Sequence, residues 1–227
     1  MTDFLPLPPS MAQRARDFRG PPAPPRAAAT VVLLRPTTRI FEVYVLRRRT
    51  TMVFGGVYAF PGGSVDPSDR LAASGPGVSA DRARRLGLPP DEAAAVLTAA
   101  VREVHEETSV RLDGDQLMPW ARWITPEFEP RRFDTWFFVA ALPAGQVAGD
   151  VSGEADLTAW VEPATALARY AAGDFPMLPP TVAVLRDLAA FAGLADVIAA
   201  AAGRDAARAV MPRIEFAADG GAHLHVT

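Results

Sequence analysis

The stretch from Asp91 to Thr108 constrains this chain's fold more than any other. Pro89 and Pro90 precede it, and a proline at the first helical position loses no hydrogen bond, because that N–H has no partner within a helix. Asp91 and Glu92 complement the positive end of the helix dipole. Ala93, Leu97, Ala100, Val101, Val104 and Thr108 recur at helical spacing, so one stripe must be buried. A second face is acidic. Taking Glu103 as origin, Glu106 falls about 60° to one side and Glu107 about 40° to the other. Like charges at these spacings repel, and either solvent or a bound cation relieves them. Carboxylate oxygens are hard ligands that suit Mg²⁺ or Mn²⁺, ions that polarise phosphoryl oxygens and activate water. Taken alone, the three acids also read as a solvated helix face with Arg102 as a local partner.

Around this helix the chain alternates between strand and helix patterns. Ala27–Leu34 reads as a buried strand and Phe41–Leu46 as its neighbour, with a turn at Pro36–Arg39 between them. Phe54–Gly63 is too rich in glycine for a regular strand and reads as a loop with a short extended piece. Residues 70–89 show only weak periodicity and read as an exposed excursion. Strands follow at Leu117–Ile124, Phe133–Leu142 and near Thr158–Val161, and helices at Pro163–Ala172, Thr181–Phe191 and within Ala195–Val210. The tail reads as a hairpin turning at Asp219–Gly220–Gly221. Residues 1–25 form a proline-rich arm in which Met11–Phe18 suits a short helix. The organisation expected is thus an arm over 1–25 and a domain over 26–227, with an excursion at about 70–90 and helices plus a hairpin over 178–227. The class is α+β.

The acidic helix has a distant companion. Phe60-Pro61-Gly62-Gly63 is followed by Asp69, and Arg102-Glu103-Val104-His105-Glu106-Glu107-Thr108 comes later. Together they resemble the Nudix box, G-x5-E-x7-R-E-U-x-E-E-x-G-U, where U is a bulky aliphatic residue. Gly63 matches its first glycine, Asp69 stands where the first Glu is usual, and Arg102, Glu103, Glu106 and Glu107 match its R-E and E-E pairs. There are two departures. First, 32 residues separate Asp69 from Arg102 where the pattern has seven, an insertion of 25. Second, Ser109 replaces the closing glycine, whose left-handed backbone costs any other residue some energy. The insertion resembles the branch that includes the peroxisomal coenzyme A diphosphatases of animals. So do Leu46–Gly63, Arg132–Phe138 and the Leu178-Pro179-Pro180-Thr181 helix opening. A coenzyme A signature upstream of the box is met at Arg47 and Gly56 and departs from the pattern at Met52.

The resemblance implies a Nudix fold, a mixed β-sheet sandwiched between α-helices, with the insertion inside the loop-helix-loop. It implies hydrolysis of a diphosphate linkage in a nucleoside diphosphate derivative. Coenzyme A or acyl-coenzyme A leads as substrate, and ADP-ribose or NADH-type dinucleotides are the alternative. Mg²⁺ or Mn²⁺ would be held by Glu103, Glu106 and Glu107 with the backbone of Gly63, and Arg102 would orient a neighbouring carboxylate. Glu103, Arg102 and Glu106 are the catalytic candidates, with Asp69 and Glu154 as additional acids. Arg47 and Arg49, flanking Arg48, offer grips for phosphate. Phe54 and Tyr58, with Trp123, offer rings to stack on a base, although core packing is the preferred reading of all three. His105, His223 and His225 read as surface or strand residues. A Nudix fold that senses a nucleotide without hydrolysing it is a competing reading, though a pure binder has no use for clustered carboxylates.

Composition narrows the partners. The net charge of −3 gives no footprint for nucleic acid. All 23 basic residues are arginine, a preference better explained by Ala-, Gly- and Pro-rich coding than by phosphate binding. With no cysteine there is neither disulfide nor thiolate metal site, which suits a cytoplasmic protein. No apolar leader or membrane span is expected. The partner expected is a small nucleotide substrate, with a homodimer as a candidate assembly.

Overall fold

A computed structural model describes residues 3–6, 9–49, 55–72, 78–151, 153, 155–216 and 222–226. It opens with strand β1 (Asp3–Pro6), helix α1 (Pro9–Asp17) and the long strands β2 (Arg26–Pro36) and β3 (Phe41–Arg48). The short strands β4 (Tyr58–Ala59) and β5 (Gly62–Ser64) and the helices α2 (Pro67–Ala72), α3 (Ala80–Leu86) and α4 (Pro90–Thr108) follow. After a single 3₁₀ turn at Gly114–Gln116 come β6 (Met118–Ile124), β7 (Phe133–Ala141) and β8 (Ala155–Val161). The chain closes with α5 (Pro163–Ala172), α6 (Pro179–Ala189), α7 (Leu194–Ala202), β9 (Arg213–Phe216) and β10 (Ala222–Val226).

The central sheet runs β4-β3-β2-β7-β6, with β5 also paired to β2 and β8 to β3. β2 and β7 are parallel and the other pairs are antiparallel, so the sheet is mixed. Successive side chains on a strand point to opposite faces, and here both faces are apolar. Ala29, Val31 and Leu33 of β2 join Trp136 and Phe138 of β7 beneath Val96, Ala100 and Val104 of α4. Val32 and Leu34 join Phe137 and Val139 on the other face, covered by Val182 and Leu188 of α6, Val197 of α7 and Met11 of α1. Near-continuous Val/Leu runs are what a strand covered on both faces requires. Each fully buried Val or Leu contributes about 1.5–3 kcal/mol. The result is the expected α+β arrangement, a mixed sheet between helices. Among the described residues no helix is long and apolar enough to cross a membrane.

The insertion is more ordered than an exposed excursion. Ala83 and Leu86 of α3 are buried against α4. The Trp136 indole N–H donates to the Leu86 carbonyl at 2.9 Å, and the Ala206 amide to the Arg85 carbonyl at 2.8 Å. Arg85 in turn donates to the Ala201 and Arg204 carbonyls at the end of α7. A seven-residue helix is too short to show periodicity, and its partners, among them Arg204 and Ala206, lie more than a hundred residues away, which is why local reading misjudges it. The expected arm differs in the same way. Met11 and Ala12 are buried, Arg14 pairs with the buried Glu129 at 2.8 Å, and Arg132 donates to the Ala23 carbonyl. β1 lies along β10, and β10 pairs with β9 as the expected tail hairpin. The anticipated turn residues Asp219, Gly220 and Gly221 lie outside the described residues.

α4 ends at Ser109, whose φ of 62° is the only left-handed value of any non-glycine residue described. Its N–H donates to the His105 carbonyl at 2.9 Å, satisfying one of the helix's last acceptors. Serine meets the geometry at a steric cost that glycine avoids. Ser109→Gly is therefore expected to raise unfolding free energy by about 0.5–1 kcal/mol, measured by urea denaturation.

Candidate active site

α4 and the short strand β5 bring the two halves of the interrupted box together. The keystone is Arg102. Its Nε and one Nη donate to both oxygens of Asp69, at 2.9 and 2.8 Å, in the planar fork that only arginine provides. The same nitrogen reaches the Ser64 carbonyl at 3.1 Å, while the other Nη donates to Glu103 at 2.9 Å and Glu106 at 3.0 Å. Asp66 stands 3.9 Å away. Glu107, 5 % exposed, accepts the Gly62 amide at 2.8 Å.

The two glycines are required by this packing. A Cβ on Gly62, whose φ is +154°, would meet the Ala29 carbonyl oxygen at 2.3 Å and the Thr30 Cα at 2.7 Å. A Cβ on Gly63 would sit 2.3 Å from the Glu103 carboxylate. The backbone here is bare because an acid from the helix lies directly against it.

Electrostatics divides the acids. Asp69 is 2 % exposed. Burial pushes its carboxyl pKa up, but the Arg102 hydrogen bond, the Asp66 amide and the guanidinium charge outweigh burial and hold it below the ordinary value. At Glu103 burial wins. Its carboxyl is raised, helped by the charges of Glu106 and Asp66, although Arg102 opposes the shift. Removing one partner of a buried pair strands the other, so Asp69→Asn should cost about 3 kcal/mol at pH 7. A carboxyl with a depressed folded pKa contributes stability above its unfolded pKa of about 4 and loses that contribution as pH falls through the folded value. Wild type and Asp69→Asn should therefore converge in urea denaturation series taken below about pH 4.

Four carboxylates (Asp66, Asp69, Glu103 and Glu106) lie within 4.0 Å of the Arg102 guanidinium and Glu107 stands against the Gly62 amide, leaving an excess of negative charge on hard oxygen donors. As the side chains stand, no three acidic or imidazole groups among the described residues converge as a ready ligand set. Arg102 holds one oxygen each of Glu103 and Glu106. The donor chemistry nonetheless fits a divalent cation, and the bare Gly62-Gly63 backbone lets the Glu103 carboxylate lie against it.

Other anticipated residues fall elsewhere. Tyr58 is buried in the core, its ring stacked on Phe175 with centroids 3.6 Å apart, so it is not a platform for a base. Hydrophobic packing claims the ring because it lies in one core cluster with Phe60, Phe175 and Met177. Trp123 is likewise core. Arg47 is half-exposed and paired with Asp156 at 2.7 Å, so binding phosphate would mean exchanging that partner. Arg49 is exposed at the strand end. Phe54 and Glu154 lie outside the described residues. His105 is exposed, away from the acids. Unanticipated participants are Asp66, the Ser64 carbonyl and the Gly62 amide. Backbone groups carry no sequence signal, and Asp66 is one loop acid among many.

Comparison with known proteins agrees with this geometry. The NUDIX domain family model matches residues 87–180. A putative nudix hydrolase 7 of Caenorhabditis elegans is 30% identical over 178 residues, covering 69% of this chain and 58% of its own. The chain thus spans 58% of the length of that curated relative. The crystal structure of a Nudix hydrolase from Alicyclobacillus acidocaldarius superposes with a TM-score of 0.62 at 29% identity, over 78% of this chain and 96% of that one. With its mixed sheet, its acidic helix and these matches, the chain belongs to the Nudix superfamily.

Proposed function

We propose that this protein is a divalent-metal-dependent hydrolase that cuts a diphosphate linkage in a nucleoside diphosphate derivative. The observation that carries this reading is the carboxylate cluster organised by Arg102 against the bare Gly62-Gly63 backbone. Mg²⁺ or Mn²⁺, held by Glu103, Glu106 and Glu107 with the Gly63 backbone, would neutralise phosphoryl charge and activate water. Arg102 orients Glu103 and Glu106 side by side through one guanidinium nitrogen. Glu103, with its carboxyl raised by burial, is suited to accept the proton of the attacking water. Water adds to one phosphorus, and the bridging oxygen departs with the other.

Within this class we favour coenzyme A or acyl-coenzyme A, giving adenosine 3′,5′-bisphosphate and (acyl-)phosphopantetheine. The support is Arg47 and Gly56 at their spacing before Phe60-Pro61-Gly62-Gly63, the 25-residue insertion and the Leu178-Pro179-Pro180-Thr181 helix opening. These features support the long-insertion branch. A cytoplasmic location belongs to the same reading and rests on the cysteine-free chain.

The test is hydrolysis of coenzyme A, acetyl-coenzyme A, ADP-ribose and NADH with Mg²⁺ or Mn²⁺, read by product chromatography. Glu106→Gln should lower kcat by at least about a hundredfold while substrate still binds. Turnover of ADP-ribose or NADH instead would retain the mechanism and reject coenzyme A. Tight binding with no turnover of any of them would identify a sensor. Gly63→Ala forces the Glu103 carboxylate aside, and a displacement of about 1 Å costs about a hundredfold. Its kcat should fall accordingly, with the secondary structure seen by circular dichroism intact.

A further inference from the structure

Arg47 and Arg48 end β3 and Arg49 follows, and the structure gives the three arginines different surroundings. Side chains alternate between faces along a strand. Arg47 pairs across to Tyr58 and lies two residues beyond Val45, so it shares their face, the one covered by α6. There its Nε donates to Asp156 at 2.7 Å. That hydrogen bond, and more weakly the Arg49 charge, hold the Asp156 carboxyl below its ordinary value. Both flanking arginines therefore act on the same acid.

Arg48 points the other way. It shares a face with Tyr44, which packs in the cluster beneath α4. Its backbone is held on both sides, paired with Ala155 of β8 and donating its N–H to the Val57 carbonyl at 3.0 Å. The side chain is half-buried, and its Nε is shut off from solvent and donates to nothing. Among the described residues no carboxylate pairs with this guanidinium. A cation withdrawn from water costs stability unless an anion pairs with it. The described fold supplies none, so the anion that suits Arg48 comes from outside the chain. The same face of the sheet carries the acids. Gly63 pairs with Ala29, which packs beneath α4, and the Glu103 carboxylate lies against Gly63 on that side. β4 pairs with β3, β5 pairs with β2, and only Phe60 and Pro61 separate β4 from β5. Arg48 thus stands about 10 Å from Gly63, two strand spacings. It makes no ion pair with the acids across that gap, and a ligand carrying more than one phosphate spans it.

We infer that Arg48 is a substrate-binding residue, its guanidinium pairing with a phosphate oxygen of a nucleoside diphosphate whose remaining phosphate oxygens face the acids. The inference rests on the hydrolase reading in taking a nucleoside diphosphate as the ligand, and it assigns the phosphate contact to Arg48 instead of Arg47. Arginine suits this contact because its charge is permanent and its planar donors match phosphate oxygens.

The experiment is calorimetric titration of the full chain, in Mg²⁺, with α,β-methylene adenosine diphosphate, whose P–C–P bridge resists hydrolysis. Arg48→Gln should bind it about tenfold more weakly. Its thermal midpoint should stand at or above that of wild type, since an unpaired and partly buried charge is removed. Arg39→Gln makes the same charge change in the exposed turn before β3 and should leave affinity within about twofold. Equal weakening in both variants would overturn the contact, as a long-range charge effect. Weakening in Arg47→Gln with none in Arg48→Gln would overturn it in favour of the neighbour. A lowered midpoint in Arg48→Gln would overturn it too, by showing that the fold itself uses the guanidinium. Wild-type binding that Arg48→Gln leaves unchanged would overturn the inference alone. Failure of the wild type to bind would overturn both the inference and the hydrolase reading.

Discussion

A single guanidinium holds the site together. Arg102 forks onto Asp69, reaches Glu103 and Glu106, and touches the Ser64 carbonyl. Without it, the acids gathered by α4, α2 and the loop before α2 would repel one another with no positive charge among them. Arginine suits this role because its donors are planar and fixed, so one residue satisfies several acceptors at once. The same contacts bridge the 32 residues between Asp69 and Arg102. The site depends on this ion pair because the chain itself does not keep the two halves of the box adjacent.

The opposite shifts of Asp69 and Glu103 follow from that geometry. Asp69 faces both arms of the fork and stays charged in spite of burial. Glu103 shares one nitrogen with Glu106 and lies against glycine backbone, so burial dominates. Two carboxylates about one arginine thus acquire different proton affinities.

The elements outside the central sheet brace this arrangement. α3, inside the insertion, is tied through Leu86 to β7 and through Arg85 to α7. The N-terminal segment is tied through Arg14 to Glu129, and the Arg132 side chain holds its Ala23 carbonyl. These tethers attach both the insertion and the N-terminal segment to the sheet that α4 lies on.

The sequence by itself determined α4, its apolar stripe and its acidic face, because helical periodicity and three acids within five residues are local facts. It also determined the main strands, whose Val/Leu runs require cover on both faces, and the Gly62-Gly63 pair that opens the Nudix-like pattern. Only the tertiary structure decided what approaches that backbone, since Glu103 lies 40 residues away in sequence. It decided that Arg102 spends its fork on Asp69, that Arg47 answers Asp156, and that the Tyr58 ring belongs to the core beside Phe175. It also turned the weakly periodic residues of the insertion into the helix α3. Each of these outcomes depends on pairing between segments far apart in the chain. Residue type limits such pairings, but only packing selects among them.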